Sequence, residues 1–123
     1  MSGAALLLGA SLFVACIHRG SGDEAQSSNA EIALEVESHN WSDIVIYLVK
    51  GSSVERLGTV GSLNTETFVF PFRRLGIGGD VRLRADPIGG SETFTSENLY
   101  VQPGQWIKWT LENDLSRSFL GVY

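Results

Sequence analysis

The sequence predicts an all-β domain, an antiparallel β-sandwich of about seven strands, over residues 31–123. Three observations carry that prediction. Apolar and polar residues alternate in several short segments, the two-residue period of a half-buried strand. Clusters of Gly, Pro, Asn, Asp and Ser separate those segments at roughly every 8 to 12 residues, as in sandwich domains. No segment sustains the 3.6-residue period of an amphipathic helix, so little helix is expected.

The elements follow in order. EIALEVES (31–38) sets Ile32, Leu34 and Val36 on one face and Glu31, Ala33, Glu35 and Glu37 on the other. HNWSD (39–43) is a turn. DIVIYLVK (43–50) is apolar on both faces and rich in β-branched residues, which suits a central strand. VERLGTV (54–60) and TETFVFPF (65–72) are the next two strands, divided by GSLN and closed by Pro71. FRRLGIGG (72–79) is a longer connection. DVRLRAD (80–86) turns Val81, Leu83 and Ala85 inward and Arg82 and Arg84 outward. After the DPIGGS turn, SETFTSENLYV (91–101) supplies one long strand or two short ones. QPGQ breaks the chain, and QWIKWTLE (105–112) is the last clear strand. The tail DLSRSFLGVY is either one short helical turn or an eighth edge strand. Short strands at this spacing point to a sandwich of immunoglobulin-like or transthyretin-like type. A domain of this length can build its core without disulfides, with modest stability.

The N-terminal segment has a different character. Gly3 to Ile17, GAALLLGASLFVACI, carries no charge and ends around the single cysteine of the chain, Cys16. It is the length of a signal-peptide apolar region and too short to span a bilayer. Phe13-Val14-Ala15-Cys16 resembles a bacterial lipobox, with a small residue before the cysteine and a large apolar one at the third position upstream. Phe13 stands where that pattern usually has Leu, and Met1-Ser2-Gly3 lacks a basic residue. The resemblance covers only these opening residues. It implies a signal peptide over residues 1–15, diacylglycerol on the Cys16 thiol, and stable anchoring through the acyl chains. Ile17 lacks the aspartate that retains many lipoproteins in the inner membrane, which favours the outer membrane where a cell has one. The other reading of the same residues is an N-terminal strand or helix holding an ordinary core cysteine. Residues 16–30, from the lipidated Cys16 through IHRGSGDEAQSSNA, are too polar to offset their ordering entropy and read as a flexible tether.

Composition excludes some partners. A formal net charge of -5 argues against nucleic acid, which needs clustered Lys and Arg. Trp106 and Trp109 share one strand three positions apart, so they face opposite ways. Trp109 lies with Ile107 and Leu111 and is the core tryptophan; Trp106 lies with Lys108 and Thr110 on the wetter face, open or covered by the FLGVY tail. Trp41, in the turn, either caps the sandwich or stands at the surface. Trp106, Tyr100 and Trp41 are the candidate contact residues. Asn40-Trp41-Ser42 fits a glycosylation pattern that has no automatic meaning in a bacterial lipoprotein.

Catalytic and metal chemistry find little support. His39 and Asp43 lack the further His or Cys that zinc requires. Asp80, Asp86 and Glu92 could gather around calcium, but no Asp-x-Asp-x-Asp-Gly loop occurs. GIGGD (76–80) lacks the third glycine, the Lys and the following helix of a phosphate loop. His18 sits in the tether, which leaves only His39 for a hydrolytic triad. Arg73, Arg74, Arg82 and Arg84 are expected to pair across strands with the more numerous acids. Glu97 to Gln102, ENLYVQ, resembles a potyviral protease site, but Pro103 follows it and the stretch reads as native chain.

The expected function is a lipid-anchored, extracytoplasmic binding or assembly module of the bacterial cell envelope, periplasmic or surface-facing. Its partner would be an envelope protein or a glycan, with no cofactor, no metal and no enzymatic activity expected. The alternative is a carbohydrate- or small-ligand-binding module that stacks its ligand on Trp106, Tyr100 or Trp41.

Overall fold

The computed structural model describes residues 30–76 and 81–123. The expected signal peptide, Cys16, most of the expected tether and Ile77 to Asp80 of the GIGGD stretch lie outside the described residues. Eight strands follow one another: β1 (Glu31–Ser38), β2 (Ile44–Lys50), β3 (Ser53–Val60), β4 (Thr65–Pro71), β5 (Val81–Pro87), β6 (Phe94–Thr95), β7 (Trp106–Leu111) and β8 (Phe119–Val122). Short 3₁₀ turns lie at Phe72–Leu75 and Leu115–Arg117, and no α-helix occurs among the described residues. The strands form two four-stranded sheets, ordered β4-β1-β7-β8 and β3-β2-β5-β6.

The alternation read from sequence places the side chains. Ile32, Leu34 and Val36 of β1 and Val81, Leu83 and Ala85 of β5 are buried, and they share one core with Ile44, Ile46 and Leu48 of β2 and Ile107 and Leu111 of β7. β2 is a central strand between β3 and β5; its Ile44, Ile46 and Leu48 face the core, whereas Val45, Tyr47 and Val49 stand half-buried on the outer face. Trp109 is fully buried, with its ring 6.3 Å from that of Phe94. Its indole Nε1–H has no acceptor among the described residues. An orphaned donor costs about 1–3 kcal/mol, whereas burying a ring of about 200 Å² contributes about 5 kcal/mol, so burial wins.

Three features depart from the expected pattern. Pairing is not wholly antiparallel: β1 runs parallel to β7, with Ala33 opposite Trp106 and Val36 opposite Trp109. Only Phe94–Thr95 of the 91–101 segment pairs as a strand. Ser96 ends it, because its hydroxyl accepts the Leu83 N–H (3.0 Å) and donates to the Glu97 carbonyl (2.8 Å), displacing the regular ladder. The tail forms both expected structures, a 3₁₀ turn capped by the Asp114 carboxylate on the Ser116 N–H and then strand β8. β3 also carries a bulge where β2 passes from Ile46 to Tyr47. There a Cβ on Gly58 would sit 2.5 Å from Phe68 Cε1, so glycine is required for the close approach.

Trp109→Ala is expected to destabilise the domain by about 3–5 kcal/mol, read as a lower denaturant midpoint. A near-unchanged midpoint would mean that the tryptophan does not carry the core.

Candidate functional site

The outer face of the β4-β1-β7-β8 sheet is built in cross-strand rows. Val69, Ala33 and Trp106 form one row, and Tyr123 extends it through paired backbone bonds to Trp106 of 3.0 and 2.9 Å. Thr67, Glu35, Lys108 and Gly121 form the next, then Thr65, Glu37, Thr110 and Phe119. The Trp106 and Tyr123 rings stack with centroids 4.8 Å apart and planes at 27°. The tail thus covers one face of Trp106, yet the residue remains 40% exposed. Tyr123 lies over Gly121, where a Cβ would come within 3.0 Å of its hydroxyl. Phe119, Gly121 and Tyr123 alternate along one strand, so the two aromatics stand over a glycine floor.

Polar groups face these rings across an open groove of about 360 Å³, bounded by Glu37, His39, Lys108, Phe119, Gly121 and Tyr123. Lys108 Nζ lies 3.8 Å from Glu35 and 3.6 Å from Glu37. His39 Nε2 donates to Glu37 at 2.6 Å, and its Nδ1 donates to Glu112 at 3.1 and 3.2 Å. Both ring nitrogens donate only in the imidazolium. The carboxylate of Glu112, then that of Glu37, raises the His39 pKa above its ordinary 6.5. The same bond to His39 chiefly lowers the Glu37 pKa below 4.5, with Lys108 assisting. While the clamp holds, His39 has no free lone pair with which to act as a base.

The clamp stands at the end of a well-braced turn. Asn40 is buried, and its amide donates to the Glu112 carbonyl (3.2 Å) and the Asn113 carbonyl (3.1 Å) while accepting the Ser42 N–H (2.9 Å). Because Asn40 takes the inward position, Trp41 points outward at 73% exposure and does not cap the sandwich. Tyr100 is 82% exposed on the irregular chain after β6. It borders a different hollow beside Phe72 and Leu75, whereas Trp41 borders a third beside Pro87 and Glu92. The three aromatics expected to form the contact site are therefore not gathered together. Asp43 accepts the Ser62 N–H at 2.9 Å, away from His39. No cluster of three metal-ligating side chains occurs among the described residues.

Sequence reasoning named the FLGVY tail only as a cover for Trp106 and did not count Phe119 and Tyr123 among the contact residues, and it missed Glu112. The aromatic-Leu-Gly-Val-aromatic alternation of residues 119–123 was the available signal for the first two. Nothing local in the sequence links Glu112 to His39, 73 residues away. No protein-family model and no curated protein sequence matches the chain.

The clamp has a defined pH window. A raised histidine contributes stability fully below 6.5 and loses it as pH rises through the raised value. A lowered glutamate contributes above 4.5 and loses it as pH falls through the lowered value. The melting-temperature gap between the native chain and His39→Gln is expected to be widest between those limits and to narrow in alkali. A gap that widens as pH rises above 6.5 would contradict the clamp.

Proposed function

We propose that this chain is a lipid-anchored, extracytoplasmic binding or assembly module of the bacterial cell envelope. The anchor rests on the lipobox-like Phe13-Val14-Ala15-Cys16, and no cofactor enters this reading. Of the two sandwich types, the transthyretin-like one fits better. In the immunoglobulin constant type the first two strands share a sheet, whereas here β1 and β2 lie in different sheets.

The binding role rests on one observation: β8 is a bare edge. Natural edge strands are blunted by charge, proline, bulges or shortness. β3 carries Glu55, Arg56 and the bulge; β4 carries Glu66 and Pro71; β6 is two residues long. β8, Phe119-Leu120-Gly121-Val122, has no charge and no proline. Because Trp106 and Tyr123 exchange both backbone bonds, the intervening Leu120 and Val122 direct their N–H and C=O groups away from β7. Phe119 and Tyr123, at 61% and 62% exposure, offer aromatic contact alongside that edge. Together these features suit a protein strand added to the sheet. The second reading, a glycan held between Phe119 and Tyr123, is favoured by the glycine floor and the polar wall. Against it, Trp106 and Tyr123 stack on each other and do not lie side by side as a platform.

Cys16→Ser is expected to move the protein from the membrane to the soluble fraction; persistence in the membrane pellet would remove the anchor. Phe119→Lys guards the edge without touching the core. It is expected to lower capture of an envelope protein by at least about tenfold, within the range of one interface hot spot, with unchanged melting. Undiminished protein capture alongside lost binding to isolated glycans would favour the second reading.

A further inference from the structure

The outer face of the opposite sheet carries a different chemistry. Its rows are Thr59, Val45 and Asp86; then Arg56, Tyr47, Arg84 and Thr95; then Val54, Val49 and Arg82. Three arginines therefore surround Tyr47 on one sheet face, and Asp86 is the single carboxylate in those rows. Sequence reasoning expected such arginines to pair with acids. Arg74 does, with Glu55 at 2.7 Å, and Lys108 on the other sheet sits between two glutamates. Arg56, Arg82 and Arg84 form no ion pair among the described residues. Their partners are neutral. Arg56 Nη2 donates to Thr59 Oγ1 at 2.9 Å, and Arg82 Nε donates to Asn98 Oδ1 at 2.9 Å. The Arg84 guanidinium lies over the Tyr47 ring, 5.7 Å from its centroid, and its Nε has no acceptor.

A chain of net charge -5 thus keeps one locally positive face. We propose that this face docks flat on the anionic phospholipid headgroups of the bilayer that carries the anchor, an inference that rests on the lipid-anchored reading. Charge complementarity selects the occupant. Guanidinium forks match phosphate oxygens, and neutral side-chain partners orient them without cancelling their charge. Tyr47, an amphipathic ring, suits the boundary between headgroups and water. A linker of the length and composition of residues 17–30 has an r.m.s. span of about 20 Å, which would keep the domain within reach of the surface. Docked this way, the aromatic face and β8 point away from the membrane.

The test uses the full chain with Cys16→Ser, so that no acyl chain contributes, and measures co-sedimentation with vesicles. Binding is expected to phosphatidylcholine vesicles containing roughly 30% phosphatidylglycerol and not to phosphatidylcholine alone, and to weaken as salt shortens the Debye length. Each arginine near such a surface contributes about fivefold, so Arg56→Gln with Arg82→Gln is expected to lower binding about thirtyfold. Both residues are exposed, and an unchanged melting curve establishes that the variant folds. The charge-matched control, Arg73→Gln with Arg117→Gln, is expected to change binding less than about twofold. Equal loss in both variants, equal binding to both vesicles, or no binding to either overturns the proposal. So does lipid-free self-association abolished by the Arg56 and Arg82 changes, which makes a second copy the occupant. Mass spectrometry of Cys16 in the mature native protein tests the anchor separately, because the vesicle result does not depend on acylation.

Discussion

The parallel pairing of β1 with β7 is the constraint on which the rest depends. It joins the first strand of the domain to the seventh, and its register decides which outward residues become neighbours. Ala33 meets Trp106, Glu35 meets Lys108, and Glu37 meets Thr110. A shift of one residue would turn Ile107 and Trp109 out of the core. Past the far end of the pair, His39 N–H bonds the Leu111 carbonyl at 2.7 Å and the buried Asn40 amide grips the next two carbonyls. The hydrogen bonds that close the sheet thus also bring His39 to Glu112. Because β1 is flanked by β4 and β7, neither central strand has a free edge; edges remain only at β4 and β8 of this sheet.

Much of this fold was legible in the sequence. The alternation of EIALEVES and DVRLRAD located the buried faces of β1 and β5, and the run IVIYLVK announced a central strand, although only Ile44, Ile46 and Leu48 are buried and Val45, Tyr47 and Val49 stand half-buried on the outer face. The opposite facing of Trp106 and Trp109 follows from an odd spacing on one strand, and the burial of each agrees with it. Other features depend on contacts between distant segments. The parallel β1–β7 pair has no local signature. The early end of β6 turns on one serine hydroxyl replacing a backbone acceptor, which periodicity does not register. The exposure of Trp41 follows from Asn40 beside it finding carbonyls across the sheet. For the candidate site, Trp106 was legible as an exposed aromatic, but its stacking on Tyr123 required knowing that residues 119–122 pair with β7.

The two sheets also divide the electrostatics. On the β1 side, acids outnumber bases and each base is tied to a carboxylate: Lys108 to Glu35 and Glu37, and His39 to Glu37 and Glu112. On the β2 side, arginines are braced by a threonine, an asparagine and a tyrosine ring. Net charge hides this arrangement, because a sum over the chain discards which face each charge occupies. In a sandwich the alternation that separates core from surface also separates the two surfaces. Opposite chemistries can therefore stand back to back with one apolar layer between them.

The unguarded edge at β8 has a cost as well as a use. A strand that keeps its hydrogen-bonding groups open for a legitimate neighbour offers them equally to any extended chain that arrives first. Copies made in excess of whatever occupies the edge are the ones exposed to aberrant zippering. On the proposed strand-adding role, chains made in surplus over their partner would leave that edge open to aggregation.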